Sequence, residues 1–370
     1  MAYNLGAVGF GHWFERLYAG MVKTDQIRLA KVIGVSDIAS KAERLRMVGI
    51  SKENYYRMEP NAPLPEEFFE GLDIVHISDP NDYHAKQTIQ SLKKGKMTIT
   101  EKTWGVNKEE FYSVVNFIKE NRLEDKAYLH LHYLHKLLTI ELEKILEDML
   151  KEYGKIIGIA ATFYEPTREE DMRRSSWLFS KESGGLFMDW IHPFEIIYRG
   201  MSAENVKLNK LNLYITNSTY NKENPTGIEA SISLFGGKFA NNAKGTVRIA
   251  KGAPVDKKAV RIYLESGAYI ELMYLDSDRE ASTGMRGCWT LVKDGVELRT
   301  QCPRGKDTSE FFIEDIIKKL NGQSSEFSIE FMEKIFDTQW QYQELSNNLQ
   351  LNSNSKDIAE FIARGTSLIM

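Results

Sequence analysis

The sequence predicts two domains of different architecture, an α/β domain with a doubly wound parallel sheet followed by an α+β domain with a large, mostly antiparallel sheet. The first third of the chain alternates short apolar runs with amphipathic stretches, the pattern of parallel strands buried on both faces and joined by helices. After about residue 155, apolar runs follow one another across glycine-containing turns, which is typical of antiparallel hairpins. The 370 residues also exceed the usual size of one hydrophobic core.

The first domain is expected over residues 1–127. Its predicted strands are Leu5–Val8, Leu29–Val35, Ile74–Ser78, Met97–Thr100 and Ala127–Leu131. Amphipathic helices are expected at Trp13–Lys23, His84–Lys94 and Lys108–Asn121, the last with Asn107 as its N-cap. Strand–helix–strand units in this order imply right-handed crossovers and a parallel sheet.

The second domain is expected over residues 128–347, with helices flanking an open-faced sheet. Its predicted strands are Ile156–Tyr164, Lys207–Ile215, Gly227–Phe235, Lys238–Ile249, Ala259–Glu265, Ala268–Met273 and Cys288–Val292. Helices are expected at Ser309–Leu320 and Ile329–Asn347, and residues 348–370 are expected to form a polar linker that ends in a short helix. One face of the sheet needs cover, which favours a homo-dimer or homo-tetramer.

The composition excludes several classes of function. Hydrophobic residues make up 42% and charged residues 27% of the chain, which argues against long disordered segments. A formal charge of -4 provides no basic field for nucleic acid. No secretory signal is seen, and no apolar run approaches the roughly 20 residues that span a bilayer. Only Cys288 and Cys302 are present, which favours a reducing, cytoplasmic location.

The first predicted strand runs into a glycine turn that can bind a dinucleotide. Gly9 permits a tight turn and Gly11 permits a pyrophosphate to approach the helix N-terminus. The candidate cofactor-binding residues here are Gly9, Phe10, Gly11, His12 and Trp13. Phe14 stands where a third glycine is usual, and a turn that simply needs positive φ is the alternative interpretation.

Asp37 follows the second predicted strand and is the candidate ligand of the adenosine ribose. A carboxylate there accepts hydrogen bonds from the ribose and repels a 2′-phosphate, so NAD is favoured as the cofactor. NADP stays open, because Ser40 and Lys41 could accommodate the phosphate. A simple helix cap is the alternative for Asp37.

The third and fourth predicted strands end in polar residues that would line the ligand crevice of an open α/β sheet. The additional candidate cofactor-binding residues are Ser78, Pro80, Asn81, His84 and Glu101. Lys102 follows Glu101 and could donate to a substrate hydroxyl, stabilising a developing alkoxide. The alternative is a solvated loop lysine.

These segments together resemble the glucose-fructose oxidoreductase, inositol dehydrogenase and rhizopine-catabolism family. Its hallmarks are a G-x-G turn, a P-N-x-x-H segment and a Glu-Lys-Pro tripeptide, and the matching residues are Gly9, Gly11, Pro80, Asn81, His84, Glu101 and Lys102. Thr103 replaces the proline. The resemblance implies a Rossmann domain that binds a nicotinamide cofactor, and a catalytic role for Lys102.

The same resemblance extends to the second domain, where Gly184-Gly185 leads to Asp189 and His192. In the family the Asp and the His share a helix, the His acts as general base and the Asp positions it; a histidine near neutral pKa suits such proton transfer. Asp189 and His192 are three residues apart rather than the usual four, and both spacings share one helical face. A structural histidine is the alternative.

Four further residues are candidates for the substrate pocket: His132, Tyr133, Arg174 and Trp177. His130, His132 and His135 also invite a metal interpretation, but no carboxylate or cysteine completes a site, so no metal is expected. For Trp177 the alternative to a place in the substrate pocket is a packing role, and for Arg174 it is a solvated side chain.

The predicted function is hydride transfer between NAD(P) and a secondary alcohol or carbonyl of a sugar, a polyol or a sugar derivative. Two alternatives stay open. One is a non-catalytic NAD(P)-binding sensor or scaffold, and the other is a reductase of a non-sugar substrate. A glycine turn and a lysine do not distinguish between oxidoreductases that act on different substrates.

Overall fold

The computed structural model describes residues 2–166, 185–215, 225–253, 255–323, 325, 327–347, 349, 360 and 362. The chain divides into two compact units. The N-terminal unit comprises Met1–Leu131 and Ser309–Met332, and the C-terminal unit comprises His132–Thr308 and Glu333–Met370. One contains a six-stranded parallel sheet and the other a mostly antiparallel sheet of eight strands, so the predicted fold class is confirmed.

The sheet of the N-terminal unit has the order β3-β2-β1-β4-β5-β6, and all its pairings are parallel. Its strands are β1 (Tyr3–Val8), β2 (Ile27–Gly34), β3 (Tyr55–Arg57), β4 (Ile74–Ile77), β5 (Met97–Glu101) and β6 (Ala127–His130). Strands β1 to β3 follow one another in one direction across the sheet, and β4 to β6 follow one another in the opposite direction, so the strand order reverses between β1 and β4. Ligands of such sheets bind beyond the carboxyl ends of the strands at this reversal, where the glycine turn lies.

The sheet of the C-terminal unit has the order β14-β13-β12-β11-β7-β10-β9-β8, and only β7 and β10 pair in parallel. Its strands are β7 (Ile156–Pro166), β8 (Asn205–Tyr214), β9 (Gly227–Phe235), β10 (Phe239–Ala253), β11 (Lys257–Leu264), β12 (Tyr269–Met273), β13 (Cys288–Lys293) and β14 (Val296–Gln301). Gly267 and Gly295 adopt positive φ in tight turns between neighbouring strands, as the sequence predicts.

The described α-helices are numbered along the chain. They are α1 (His12–Met21), α2 (Ile38–Met47), α3 (Glu66–Phe69), α4 (His84–Lys93), α5 (Lys108–Asn121), α6 (Leu137–Tyr153), α7 (His192–Gly200), α8 (Ser277–Thr283), α9 (Thr308–Leu320) and α10 (Ile329–Ser346). The Asn107 side chain caps α5 by accepting from the backbone N–H of Glu110 at 2.8 Å, as predicted. No helix within the described residues has the length and apolar character to cross a membrane.

Helix α9 lies in the N-terminal unit, whereas the sequence-based boundaries put it in the second domain. Phe312, Ile313 and Ile316 belong to the apolar core that also contains Leu5 and Ile99. The Tyr128 hydroxyl of β6 donates to Asp315, and Lys319 Nζ donates to the carbonyl of Ala127 at 2.7 Å. The chain thus returns to complete the first core.

Two local features differ from expectation. Cys288 and Cys302 form a disulfide, which removes the cysteine count as support for a reducing compartment. The alternation of His130 and His132 predicts that both lie on one strand face, but His132 lies in a 3-10 turn, His132–His135.

The second face of the large sheet is partly covered by the chain's own C-terminal segment. Ile362 packs against a cluster formed by Tyr164, Tyr214, Ala250 and Ala253. Glu360 is exposed, and the other residues of the predicted C-terminal helix lie outside the described ones.

Candidate active site

The glycine turn after β1 has the geometry that a dinucleotide site requires. Gly9 has φ 84°, and a Cβ there would lie 2.8 Å from the backbone nitrogen of Asp79, so only glycine fits. Gly11 precedes α1, and no heavy atom lies within 4 Å of the position its Cβ would take. This open space at a helix N-terminus fits a bound pyrophosphate.

The other candidate cofactor-binding residues near the glycine turn differ in what they can offer to a nucleotide. Phe10 is only 6% exposed, so a cofactor would contact its backbone rather than its ring. His12 and Trp13 begin α1, and their side chains are not among the described ones. Ser78 Oγ donates to the carbonyl of Val8 at 3.2 Å and so holds the end of β4 against the turn.

His84 joins the loop after β4 to the loop after β5. Its two ring nitrogens each lie 2.9 Å from a carbonyl oxygen, those of Thr103 and Asp79. Burial raises the pKa of Asp79 to about 6, although His84 and a hydrogen bond from Gln87 oppose the shift. Pro80 and Asn81 lie at the start of the short turn between Asp79 and His84.

Glu101 is held by two histidines inside the N-terminal unit. Its Oε1 lies 3.0 Å from His76 Nε2 and 2.8 Å from His130 Nδ1, and His130 stacks on Phe312. Burial disfavours the charged carboxylate, but His130 and His76 outweigh that effect and hold the pKa of Glu101 well below its usual value. The arrangement fixes the end of β5, directly before Lys102.

Lys102 is half-buried and follows the last residue of β5. The peptide bond between Lys102 and Thr103 is cis. Glu101 on one side and the His84–Thr103 hydrogen bond on the other anchor the backbone from which this lysine projects.

Asp37 occupies the N-cap position of α2, but its side chain makes no capping hydrogen bond. Its carboxylate pairs instead with Arg57 at the end of β3, at 2.8 Å between Oδ1 and Nη1. Arg57 and the short strand β3 were not predicted from the sequence.

In the C-terminal unit, Asp189 and His192 come together although they are not on one helix. Asp189 ends the 3-10 turn Gly185–Asp189, and His192 is the first residue of α7, followed by Pro193. Asp189 Oδ1 nevertheless lies 3.6 Å from His192 Nε2. The shortened spacing thus brings this pair together through a turn.

Glu195 fixes the orientation of His192. His192 Nδ1 donates to Glu195 Oε1 at 2.8 Å, and Glu195 Oε2 accepts from the backbone N–H groups of Tyr133 and Leu134 at 2.7 and 3.2 Å. Glu195 is fully buried. A carboxylate that accepts a hydrogen bond from Nδ1–H favours the tautomer in which the Nε2 lone pair can accept a proton.

Charged residues of β7, β10 and β11 surround Asp189. Lys251 Nζ lies 2.6 Å from Asp189 Oδ2, and Lys258 Nζ lies 3.4 Å from Glu165 Oε1. Burial disfavours the charged form of Glu165, but Lys251 and Lys258 hold its pKa below the usual value. Lys251 thus keeps a cation beside the carboxylate that faces His192.

Two of the four predicted substrate residues lie beside His192. The rings of His132 and Tyr133 are centred 4.8 and 4.9 Å from that of His192. Tyr133 is only 2% exposed, so it supports the histidine more than it lines open space. Arg174 and Trp177 lie outside the described residues.

Comparison with known proteins gives a consistent result at the level of the fold. No family model and no curated protein sequence matches the chain. An aldose-aldose oxidoreductase from Caulobacter crescentus, crystallised with glycerol, superposes with a TM-score of 0.71 at 14% identity, covering 94% of this chain and 99% of that one. The resemblance found in the sequence is confirmed for the fold.

Two other solved structures are similar. The 3-ketoreductase KijD10 from Actinomadura kijaniata, in complex with NADP and TDP-benzene, has a TM-score of 0.74 at 12% identity, covering 96% of this chain and 100% of that one. UDP-N-acetylglucosamine 3-dehydrogenase from Acidithiobacillus ferrooxidans has a TM-score of 0.66 at 13% identity, with 93% and 98% covered. At these identities the similarity establishes the fold.

Sequence reasoning missed Glu195, Lys251 and Arg57. Glu195 follows His192 at a spacing of three, which places both on one face of α7, so its position was a signal. Lys251 and Arg57 lie on strands and their partners Asp189 and Asp37 lie in turns elsewhere in the sequence, so these contacts become visible in the folded structure.

Proposed function

We propose that the chain is an NAD(P)-dependent oxidoreductase that transfers a hydride between the nicotinamide and a secondary alcohol or carbonyl of a sugar, a polyol or a sugar derivative. The observation that carries this proposal is the contact between His192 and the buried carboxylate of Glu195. His192 Nδ1 is bound to buried Glu195, and His192 Nε2 faces Asp189. Such a histidine is built to move a proton at Nε2.

The N-terminal unit would hold the cofactor. Gly9 and Gly11 leave room for the pyrophosphate at the start of α1, and Asp37 and Arg57 lie where the adenosine ribose would bind. When bound, the nicotinamide supplies the hydride acceptor or donor.

The chain's own residues would manage the proton. His192 would take it from the substrate hydroxyl, Glu195 would keep Nδ1 protonated, and the Lys102 ammonium would stabilise the developing alkoxide. In the reverse direction His192 would return the proton to the carbonyl oxygen. The sugar preference rests on this proton chemistry and on the printed activities of the similar structures, an aldose-aldose oxidoreductase and a nucleotide-sugar 3-dehydrogenase.

Location and assembly are further proposals. A homo-dimer or homo-tetramer would cover the part of the large sheet that lies beyond Ile362 and its cluster. A cytoplasmic location stays a prediction, and the Cys288–Cys302 disulfide weighs against it because such bonds are rare in reducing compartments.

Absorbance at the reduced-nicotinamide band tests the proposed activity. Purified protein is mixed with NAD or NADP and with aldoses, inositols, sugar acids and nucleotide sugars in turn, with substrate-free reactions as controls. We expect the band to grow with one substrate class. If the band never grows although calorimetry shows that NAD(P) binds, the proposed action on sugars is wrong, and the two alternatives, a non-catalytic nucleotide-binding protein and a reductase of a non-sugar substrate, are favoured instead.

A further inference from the structure

Asp189 lies between a lysine and the proposed base, and each of its carboxylate oxygens faces one of them. Oδ2 lies 2.6 Å from Lys251 Nζ, and Oδ1 lies 3.6 Å from His192 Nε2. The first distance is that of a close ion pair, whereas the second is too long for a hydrogen bond. Asp189 is therefore held by Lys251 more than by the histidine.

The pairing of β10 with β7 fixes where the Lys251 side chain lies. Lys251 is opposite Glu165, and Ile249, two residues earlier, is opposite Phe163. Alternate residues of a strand share one face of the sheet, so Lys251 lies on the face that carries Phe163, whose ring is centred 6.5 Å from that of His192. The Lys251 and Asp189 side chains are each 16% exposed, so little water screens their charges.

The other charged groups near His192 are bound to partners of their own. Glu195 accepts from His192 Nδ1 and from two backbone N–H groups. Lys258 Nζ lies 3.4 Å from Glu165 and 3.5 Å from Asp256. The titratable groups around His192 and its carboxylate neighbours are Asp189, Glu195, Glu165, Lys251, His132 and Tyr133. Of this set, Lys251 is the cation that contacts Asp189.

Loss of the Lys251 charge would leave Asp189 beside a ring that can itself become a cation. A carboxylate that is largely buried is stabilised by the nearest positive charge, and a protonated His192 would supply that charge. Asp189 would then turn toward Nε2 and accept a hydrogen bond from Nε2–H. An imidazolium held in this way has no lone pair with which to accept a proton from a substrate hydroxyl.

We propose that Lys251 is a positioning residue for proton transfer, which holds Asp189 away from His192 Nε2 and so keeps the histidine in the unprotonated form that can act as a base. The inference rests on the proposed function, in which His192 moves the proton. It gives a residue of β10 a part in the chemistry through its contact with Asp189.

Nuclear magnetic resonance of protein that carries labelled histidine tests the inference without any substrate. The ring signals of His192 are assigned by their loss in His192→Gln and are followed through a pH titration. In Lys251→Met the titration midpoint of His192 should rise by about 1 pH unit above that of the wild type, the usual effect of one nearby charge. Lys251→Arg keeps the charge and should keep the wild-type midpoint. Lys244→Met, at an exposed position of the same strand, is the matched control and should also keep it.

A double-mutant cycle tests whether Lys251 acts through Asp189. Asp189→Asn should lower the midpoint, because it removes a carboxylate and leaves the lysine. Lys251→Met in the Asp189→Asn background should then shift the midpoint much less than it does alone, because no carboxylate remains to turn toward His192. Equal shifts in the two backgrounds would overturn the inference. If Lys251→Met does not fold, Lys251→Gln removes the same charge and takes its place.

Turnover with a substrate found in the nicotinamide assay gives a second measurement. Lys251→Met should lower kcat about 10-fold on the acid side of the pH profile, as a shift of one unit requires, and leave kcat at high pH and KM nearly unchanged. Wild-type turnover without a midpoint shift in Lys251→Met would overturn the inference and leave the proposed function standing. A midpoint shift in a protein that turns over no substrate would support the arrangement of Lys251 and Asp189 and overturn the proposed function. Absence of both would overturn both.

Discussion

At the scale of single residues, the buried carboxylate of Glu195 organises the proposed proton-transfer site. Glu195 accepts three hydrogen bonds inside the C-terminal unit, two from backbone N–H groups and one from His192. Each donor would lose this partner without it, and the Glu195 side chain is fully buried. The carboxylate therefore both stabilises the turn at His132–His135 and sets the protonation pattern of the histidine.

Glu195→Gln should impair stability and turnover together. The amide NH₂ of glutamine must face either the His192 Nδ1–H or the backbone N–H groups, and one buried donor loses its acceptor. We expect a loss of about 1–3 kcal/mol in the free energy of unfolding by denaturant titration.

Turnover of Glu195→Gln should fall further than this instability explains, because His192 can rotate or change tautomer. Glu147→Gln, on the exposed side of α6, is the control and should match the wild type in both measurements. Normal turnover of Glu195→Gln at a temperature where it is fully folded would show that Glu195 does not orient the histidine.

At the scale of helices and strands, an element was predicted at its observed bounds where its own residues contain a capping residue or an apolar pattern. Asn107 marks the start of α5 and Arg122 ends it in the left-handed region, so its bounds agree with expectation. Strand β9 was also predicted at its observed bounds, because apolar residues alternate along much of it. Helix α6 was not predicted, although Leu138, Leu142 and Leu146 are spaced four apart and are buried.

Other elements were not predicted because their own residues show no clear apolar pattern or are too few. Strand β14 is exposed at every residue and lies at the sheet edge, so it shows no apolar pattern. Strand β3 has three residues. The apolar stripe of α9 predicts a helix but does not say which core it completes. The candidate site follows the same rule. The glycine turn and His192 were recognisable in the sequence, whereas the roles of Arg57 and Lys251 depend on ion pairs with residues of other elements.

Phe312→Ala tests the placement of α9 in the N-terminal unit. Phe312 is 1% exposed and packs on His130 and Tyr128, so its truncation should cost about 3–5 kcal/mol. Hydrogen exchange should increase in β4, β5 and β6 and stay unchanged in β9 and β10. Phe311→Ala, at a half-buried position of the same helix, should have a smaller effect. Deprotection of β9 and β10 in Phe312→Ala would instead place α9 with the second domain.

At the scale of the whole molecule, the proposed chemistry is divided between the two units. The N-terminal unit contains the glycine turn, the Asp37–Arg57 pair and Lys102, and the C-terminal unit contains His192 with Glu195 and Asp189. Nucleotide binding should therefore survive changes in the C-terminal unit. A protein that only senses NAD(P) would need no proton-transfer group in the second unit.

The most direct test of the account compares cofactor binding with turnover in His192→Ala, and in Lys102→Ala as the matching change in the other unit. Removal of a general acid–base group typically costs about 10²–10⁴-fold in rate. We expect turnover to fall by that order in His192→Ala and clearly in Lys102→Ala, while the Kd for NAD(P)H changes by less than about 3-fold, because neither side chain is needed to hold the nucleotide. Near-normal turnover in either variant would contradict the roles assigned here.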